Sequence, residues 1–209
     1  MCFDELFRQH LKNVYSICGE NFPPELERTI LSAETAALYA PPRRQITPLI
    51  NGHLTPFYEW VGAGLYIAGS EQGAMFRDDR FVRALRFGCD TGRLHIRLDL
   101  RRAGEFTVSV VFHQPAGVLV ETPPARRGSS GKVTVRLDDG TAVETGEFAV
   151  DEIVEIGIPF SALGVNARSA LRFQVRIFEK AIERECYPES SPFEMVVPDQ
   201  ESALAEWVV

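Results

Sequence analysis

The chain has 209 residues, 45% of them hydrophobic and 24% charged, which is enough for one sizeable globular core. Its net charge of −7, from 22 basic and 29 acidic side chains, gives no long-range pull toward nucleic acid or an anionic membrane. No stretch reaches the roughly 20 apolar residues that span a bilayer, and MCFDELFRQH has neither the basic start nor the apolar run of a signal peptide, so the expected location is cytoplasmic.

The first predicted element is a helix over residues 3–18, FDELFRQHLKNVYSIC. Phe3, Phe7, Leu11, Val14, Tyr15 and Cys18 recur at intervals of three and four and draw one apolar stripe. Asp4 is placed as its N-cap and Gly19 as its stop. Such a stripe must cover something: the rest of the chain, a larger domain upstream, or a second copy in a homo-oligomer. A shorter helix is expected after Pro23 and Pro24, over 25–31. The prolines of APPRRQITP, residues 40–48, disfavour both helix and central strand. The expected organisation is a helical extension over 1–40, a linker over 41–47 and a β domain over 48–209.

Beyond that boundary the hydrophobic period falls from 3.6 to 2. PLINGHLTPFYEWVGAG, residues 48–64, opens the region with an aromatic-acid-aromatic run that leads into three small residues. GAG there lacks the third glycine and the following helix of a dinucleotide fingerprint, so its glycines are expected at a bulge or a tight corner. In RLHIRLDL, 93–100, Leu94, Ile96, Leu98 and Leu100 alternate with Arg93, His95, Arg97 and Asp99. The same alternation marks 105–113 and 171–178, and 80–87, 132–137 and 153–158 are further strand candidates. Asp139 and Gly140 signal a turn, 121–131 an exposed excursion, and PFSAL, 159–163, a short helical turn. The fold class predicted is mainly β, an antiparallel β-sandwich with an N-terminal helical extension.

Candidate chemistry is sparse. Cys2, Cys18, Cys89 and Cys186 show no metal-type spacing and read as free thiols, and His10, His53, His95 and His113 are scattered, so neither metal nor cofactor is expected. Glu59, between Tyr58 and Trp60, has the look of a glycosidase acid in an apolar pocket. Its plainer reading is a carboxylate that bonds backbone amides or an arginine, and no second acid pairs with it. The polar strand faces are more suggestive: His95, Arg97 and Asp99 share one side, and Gln174, Arg176 and Phe178 another. In one sheet they would set planar hydrogen-bonding groups beside aromatic ones, which suits sugar hydroxyls and C–H faces. The plainer reading is a solvated face or one that docks another domain. Trp60 and Trp207 are candidate stacking platforms, with core or interface as their ordinary role. The carbohydrate-binding set expected is therefore Tyr58, Trp60, His95, Arg97 and Arg176.

Several ordered motifs also resemble a known family. FDELFRQHLKNVYSICG, PPELERTI, PLINGHLTPFYEWVGAG, MFRDDRFVRALRFGCDTGRLHIRLDL, IVEIGIPFSALGV and ERECYPESSPFEMVVPDQESALAEWVV are similar, over nearly the whole chain, to the region after the catalytic barrel in glycoside hydrolase family 57. The resemblance implies the helical tail of an α-glucan-acting enzyme running into a β-sandwich of the DOMON or family 9 carbohydrate-binding type. An I-x-G…W opening strand recurs in such modules, matched here by Ile50, Gly52 and Trp60. Phe76 stands where that family often has histidine and Cys89 where it often has phenylalanine, so the resemblance carries the fold and no ligand set. The catalytic barrel has no counterpart here, and no catalytic residue is carried over. The function expected is thus a non-catalytic module that braces a hydrolase catalytic domain and binds α-glucan or maltooligosaccharide weakly. The alternative is a protein-interaction or sensory module with no sugar ligand.

Overall fold

Among the described residues the chain forms eleven antiparallel strands, several of them where two-residue alternation marks them: β1 (Gly64–Ile67), β2 (Val82–Cys89), β3 (Arg93–Leu100), β4 (Thr107–Gln114), β5 (Val118–Glu121), β6 (Ser129–Leu137), β7 (Ala142–Val150), β8 (Ile153–Pro159), β9 (Ala170–Glu179), β10 (Ile182–Tyr187) and β11 (Phe193–Val196). The computed structural model describes residues 3–20, 23, 39–54, 57–69 and 79–199. The chain divides into two units, Met1–Leu38 and Tyr39–Val209.

In the first unit, α1 (Phe3–Cys18) forms as the stripe predicts. Gly19 ends it at φ +72, with the Gly19 and Glu20 N–H groups turned back to the carbonyls of Ser16 and Tyr15. The helix expected over 25–31 lies outside the described residues, as do Cys2, Phe76 and Trp207.

In the second unit the strands run β1-β2-β3-β8-β7-β6-β5-β4-β9-β10, and β11 also pairs with β9. The expected two stacked layers are met at the coarser level only: the domain is mainly antiparallel β, but its strands form one continuous sheet that curls into a half-barrel. The registers place apolar rows along the inside of the curl. Phe87, Ile96, Ile156 and Phe148 are successive partners across β2, β3, β8 and β7. Val175, Val110, Val120 and Val135 do the same across β9, β4, β5 and β6. The curl is closed by rings: Phe87 of β2 meets Phe173 of β9 at 5.7 Å and Phe193 of β11 at 4.6 Å, although β2 and β9 lie near opposite ends of the strand order. A helical turn, α2 (Phe160–Leu163), follows β8 and plugs Phe160 and Leu163 into the core.

Two loop expectations change. The stretch read as a linker is bound to the sheet: Ala40 bridges Leu65, the Arg43 N–H donates to the Gly62 carbonyl, and Ile46 is buried with its N–H on the Cys89 carbonyl. The supposed excursion over 121–131 pairs Ala125 with Phe106 and already enters β6 at Ser129. Prolines block central strands, yet they leave an extended segment free to lie across a sheet.

Candidate functional site

Strand β3 is buried on both faces, which an alternating sequence does not ask for. Leu94, Ile96 and Leu98 face the core, and the polar side, His95, Arg97 and Asp99, is buried as well. The cover is a strap made by residues 39–54 together with a 3-10 turn, Phe57–Trp60. Gly88 and Gly157 are the cross-strand neighbours of His95 on β2 and β8. A methyl group on Gly88 would stand 2.8 Å from Cδ1 of Ile46, and one on Gly157 3.5 Å from Cγ1 of Ile50. The two glycines are thus the seats into which the strap's isoleucines pack.

Glu155 on β8 holds the strap down. It is fully buried, and its carboxylate accepts three N–H groups: Asn51 and Gly52 backbone on Oε2, both at 3.0 Å, and the Trp60 indole on Oε1 at 3.1 Å. A buried carboxylate is tolerable only when charge-assisted hydrogen bonds replace water, and here three do. Gly52 adopts φ +78 and returns its own carbonyl to the N–H groups of Glu152 and Ile153. The Ile50, Gly52 and Trp60 pattern therefore has one physical purpose: all three positions converge on β8.

Around this anchor the polar groups serve one another. Arg97 donates through Nε to Asp99 at 2.7 Å, and its guanidinium carbon lies 6.0 Å from the Trp60 ring centre, within cation–π range. His95 Nε2 lies 2.8 Å from Asp90 Oδ2, while its buried Nδ1 has no hydrogen-bond partner among the described residues. Burial alone would raise the Asp90 pKa. The His95 contact and the N–H groups of Gly92 and Arg93 outweigh it and hold the carboxyl below its usual 3.8.

The residues of the expected sugar face are placed as follows. Trp60, His95 and Arg97 come together but are 5%, 3% and 9% exposed, so they form a sealed seam and no open platform. Tyr58 is 81% exposed on the 3-10 turn, and Glu59 beside it is half-buried. Arg176 belongs elsewhere: β9 is separated from β3 by five strands of the order, β8, β7, β6, β5 and β4. Sequence reasoning missed Glu155 and Asp90. The signal for Glu155 was present, a lone acid inside the apolar run IVEIGI, which demands buried partners.

Among the described residues, two of the open depressions bear on charged groups of the strand faces. One, about 610 Å³, is lined by Glu179, Glu183, Glu185 and Glu189 with Arg80, Arg102 and Arg184. Its acids already have partners: Glu185 accepts the N–H groups of Phe81 and Val82 and the Tyr187 hydroxyl, Glu179 meets Arg102 and Arg184, and Glu183 meets Arg176 outside the depression. The other, about 490 Å³, crosses the outer face of β4, β5, β6 and β9, where Arg176 lies. Among the described residues no cluster of three or more His, Cys, Asp or Glu is arranged for a metal, and no helix is long and apolar enough to cross a membrane. Comparison with protein-family models and with curated proteins gives no match.

Proposed function

We propose that the chain is a non-catalytic β module of an α-glucan-acting family 57 glycoside hydrolase, bracing the catalytic barrel and binding carbohydrate weakly. The finer fold assignment, a sandwich of the DOMON or family 9 carbohydrate-binding type, belongs to the same proposal. One observation carries the bracing role. The strap is fixed from beneath by Glu155, Ile46 and Ile50, and outward it presents Leu49, Leu54 and Tyr58, 65%, 58% and 81% exposed. Large apolar side chains on an immobilised backbone suit docking, because their burial gains hydrophobic free energy without a further loop-ordering cost.

The test is to mix the chain with a family 57 barrel produced without its own C-terminal region. Association at about 10 μM should raise the barrel's melting midpoint by a few degrees, as binding to the native state alone requires. Leu49→Asp with Tyr58→Asp should abolish that rise. A barrel that melts unchanged, with no complex by light scattering, overturns the bracing role. The same exposed strap favours, as a second reading, a protein-interaction module for another partner.

A further inference from the structure

We infer that the groove across β4, β5, β6 and β9 is a binding subsite for an uncharged oligosaccharide, distinct from the strapped face. The choice of an α-glucan as first probe rests on the reading above; the site itself rests on the groove.

Its size, about 490 Å³, falls within the roughly 300–1,000 Å³ of small-molecule sites. The floor is apolar: Val111 and Leu119 are cross-strand partners on β4 and β5, and Phe178 of β9 lies at one end. Over that floor stands a carboxylate fixed in advance. Glu121 accepts from Ser109 Oγ at 3.1 Å on one oxygen and from Arg136 Nε at 3.2 Å on the other. Ser109 is only 2% exposed, so this support is built into the sheet. Each carboxylate oxygen keeps acceptor capacity beyond the bond it already makes. Arg176, opposite, donates Nη1 to Glu183 at 3.2 Å, and its buried Nε has no hydrogen-bond partner among the described residues.

Charge and topology select the ligand class. The groove's charges balance, Glu121 and Asp138 against Arg136 and Arg176, so it offers no net field to a phosphate or a sulfate. A divalent cation needs clustered oxygen ligands, and the described residues hold no such cluster. A peptide added as a strand needs an unpaired edge, but β4 and β5 are hydrogen-bonded on both sides. A neutral polyhydroxyl chain fits what is there: its C–H faces lie on Val111, Leu119 and the Phe178 ring, and its hydroxyls meet the fixed carboxylate and the guanidinium forks.

The experiment is calorimetric titration of the full chain with maltoheptaose and with cellohexaose, followed by amide shift mapping. One of the two should bind with a dissociation constant on the order of 1 mM. The shifts should centre on Ser109, Val111, Leu119 and Glu121. Arg176→Gln and Glu121→Gln should each weaken binding at least about fivefold while circular dichroism stays native. Absence of heat and of shifts with both sugars at about 10 mM overturns the inference. So does binding that maps to the strap, or that both variants retain. Barrel association is measured on the same preparations: variants that lose sugar yet still associate leave bracing intact, and sugar binding without association removes bracing alone.

Discussion

Glu155 is one carboxylate asked to accept three N–H groups, and glutamine cannot replace it. An amide has one oxygen, so whichever way it turns, its NH2 faces either the Asn51 and Gly52 amides or the Trp60 indole. Glu155→Gln should cost about 1–3 kcal/mol, the penalty for buried donors left unpaired. For a unit of this size that lowers the melting midpoint by about 5 °C, which calorimetry reads directly. Tyr187 gives the pH counterpart. Burial first, and then the charge of Glu185, which accepts its hydroxyl at 2.8 Å, push its pKa well above the ordinary 10. The fold therefore favours neutral tyrosine, and its contribution is complete below about pH 10 and lost as pH rises beyond that. Tyr187→Phe should lose about 1 kcal/mol at pH 8 and show a smaller further loss at pH 11 than the parent chain, by urea midpoints at the two pH values.

The strap depends on Gly52 in a way that can be separated from its other glycine seats. At φ +78 a side chain is strained, and a Cβ there would stand 2.8 Å from the Asp151 nitrogen and 3.0 Å from the Val150 carbonyl carbon. Both are backbone atoms that cannot step aside. Gly88 sets a different case, since the close contacts of its Cβ would be with the Ile46 side chain, and the Ala63 Cα stays at an ordinary 3.8 Å. Gly52→Ala should therefore cost about 2–3 kcal/mol and Gly88→Ala clearly less. Hydrogen exchange at Asn51 should speed up in the first variant and stay slow in the second. Equal exchange in both would mean that Gly52 does not set the strap.

Which elements could be read in advance follows from what makes each of them. Helix α1, strand β3 and the turn α2 are specified by local pattern and appear at their expected residues. Strands β7 and β10, AVETGEFAV and IERECY, carry no alternation strong enough to mark them; they are strands because β6, β8 and β9 pair with them. The opening run behaves likewise. Its aromatic and small residues were legible, but a segment that lies across a sheet has no period of its own. His95 and Arg97 thus read as an open face until their cover is placed.

At the scale of the β unit, alternation tells which side chains face inward and leaves open which strand they meet. Leu171, Phe173, Val175 and Ile177 were legible as a core row, yet the encounter of Phe173 with Phe87 depends on the whole sheet curling. Phe173 also packs with Phe112 at 5.8 Å and Phe193 at 5.4 Å, so one ring joins β2, β4, β9 and β11. Its replacement by alanine removes a fully buried aromatic and leaves a cavity at the closure of the curl, at a cost of about 3–5 kcal/mol. If that seam is what closes the sheet, the loss reaches both ends of the strand order. In Phe173→Ala, exchange protection should fall by the same free energy at the β3 and β8 amides as at those of β4 and β9. Loss confined to β9 and its neighbours, with β3 and β8 still protected, would show that the two ends are stable independently of the aromatic seam.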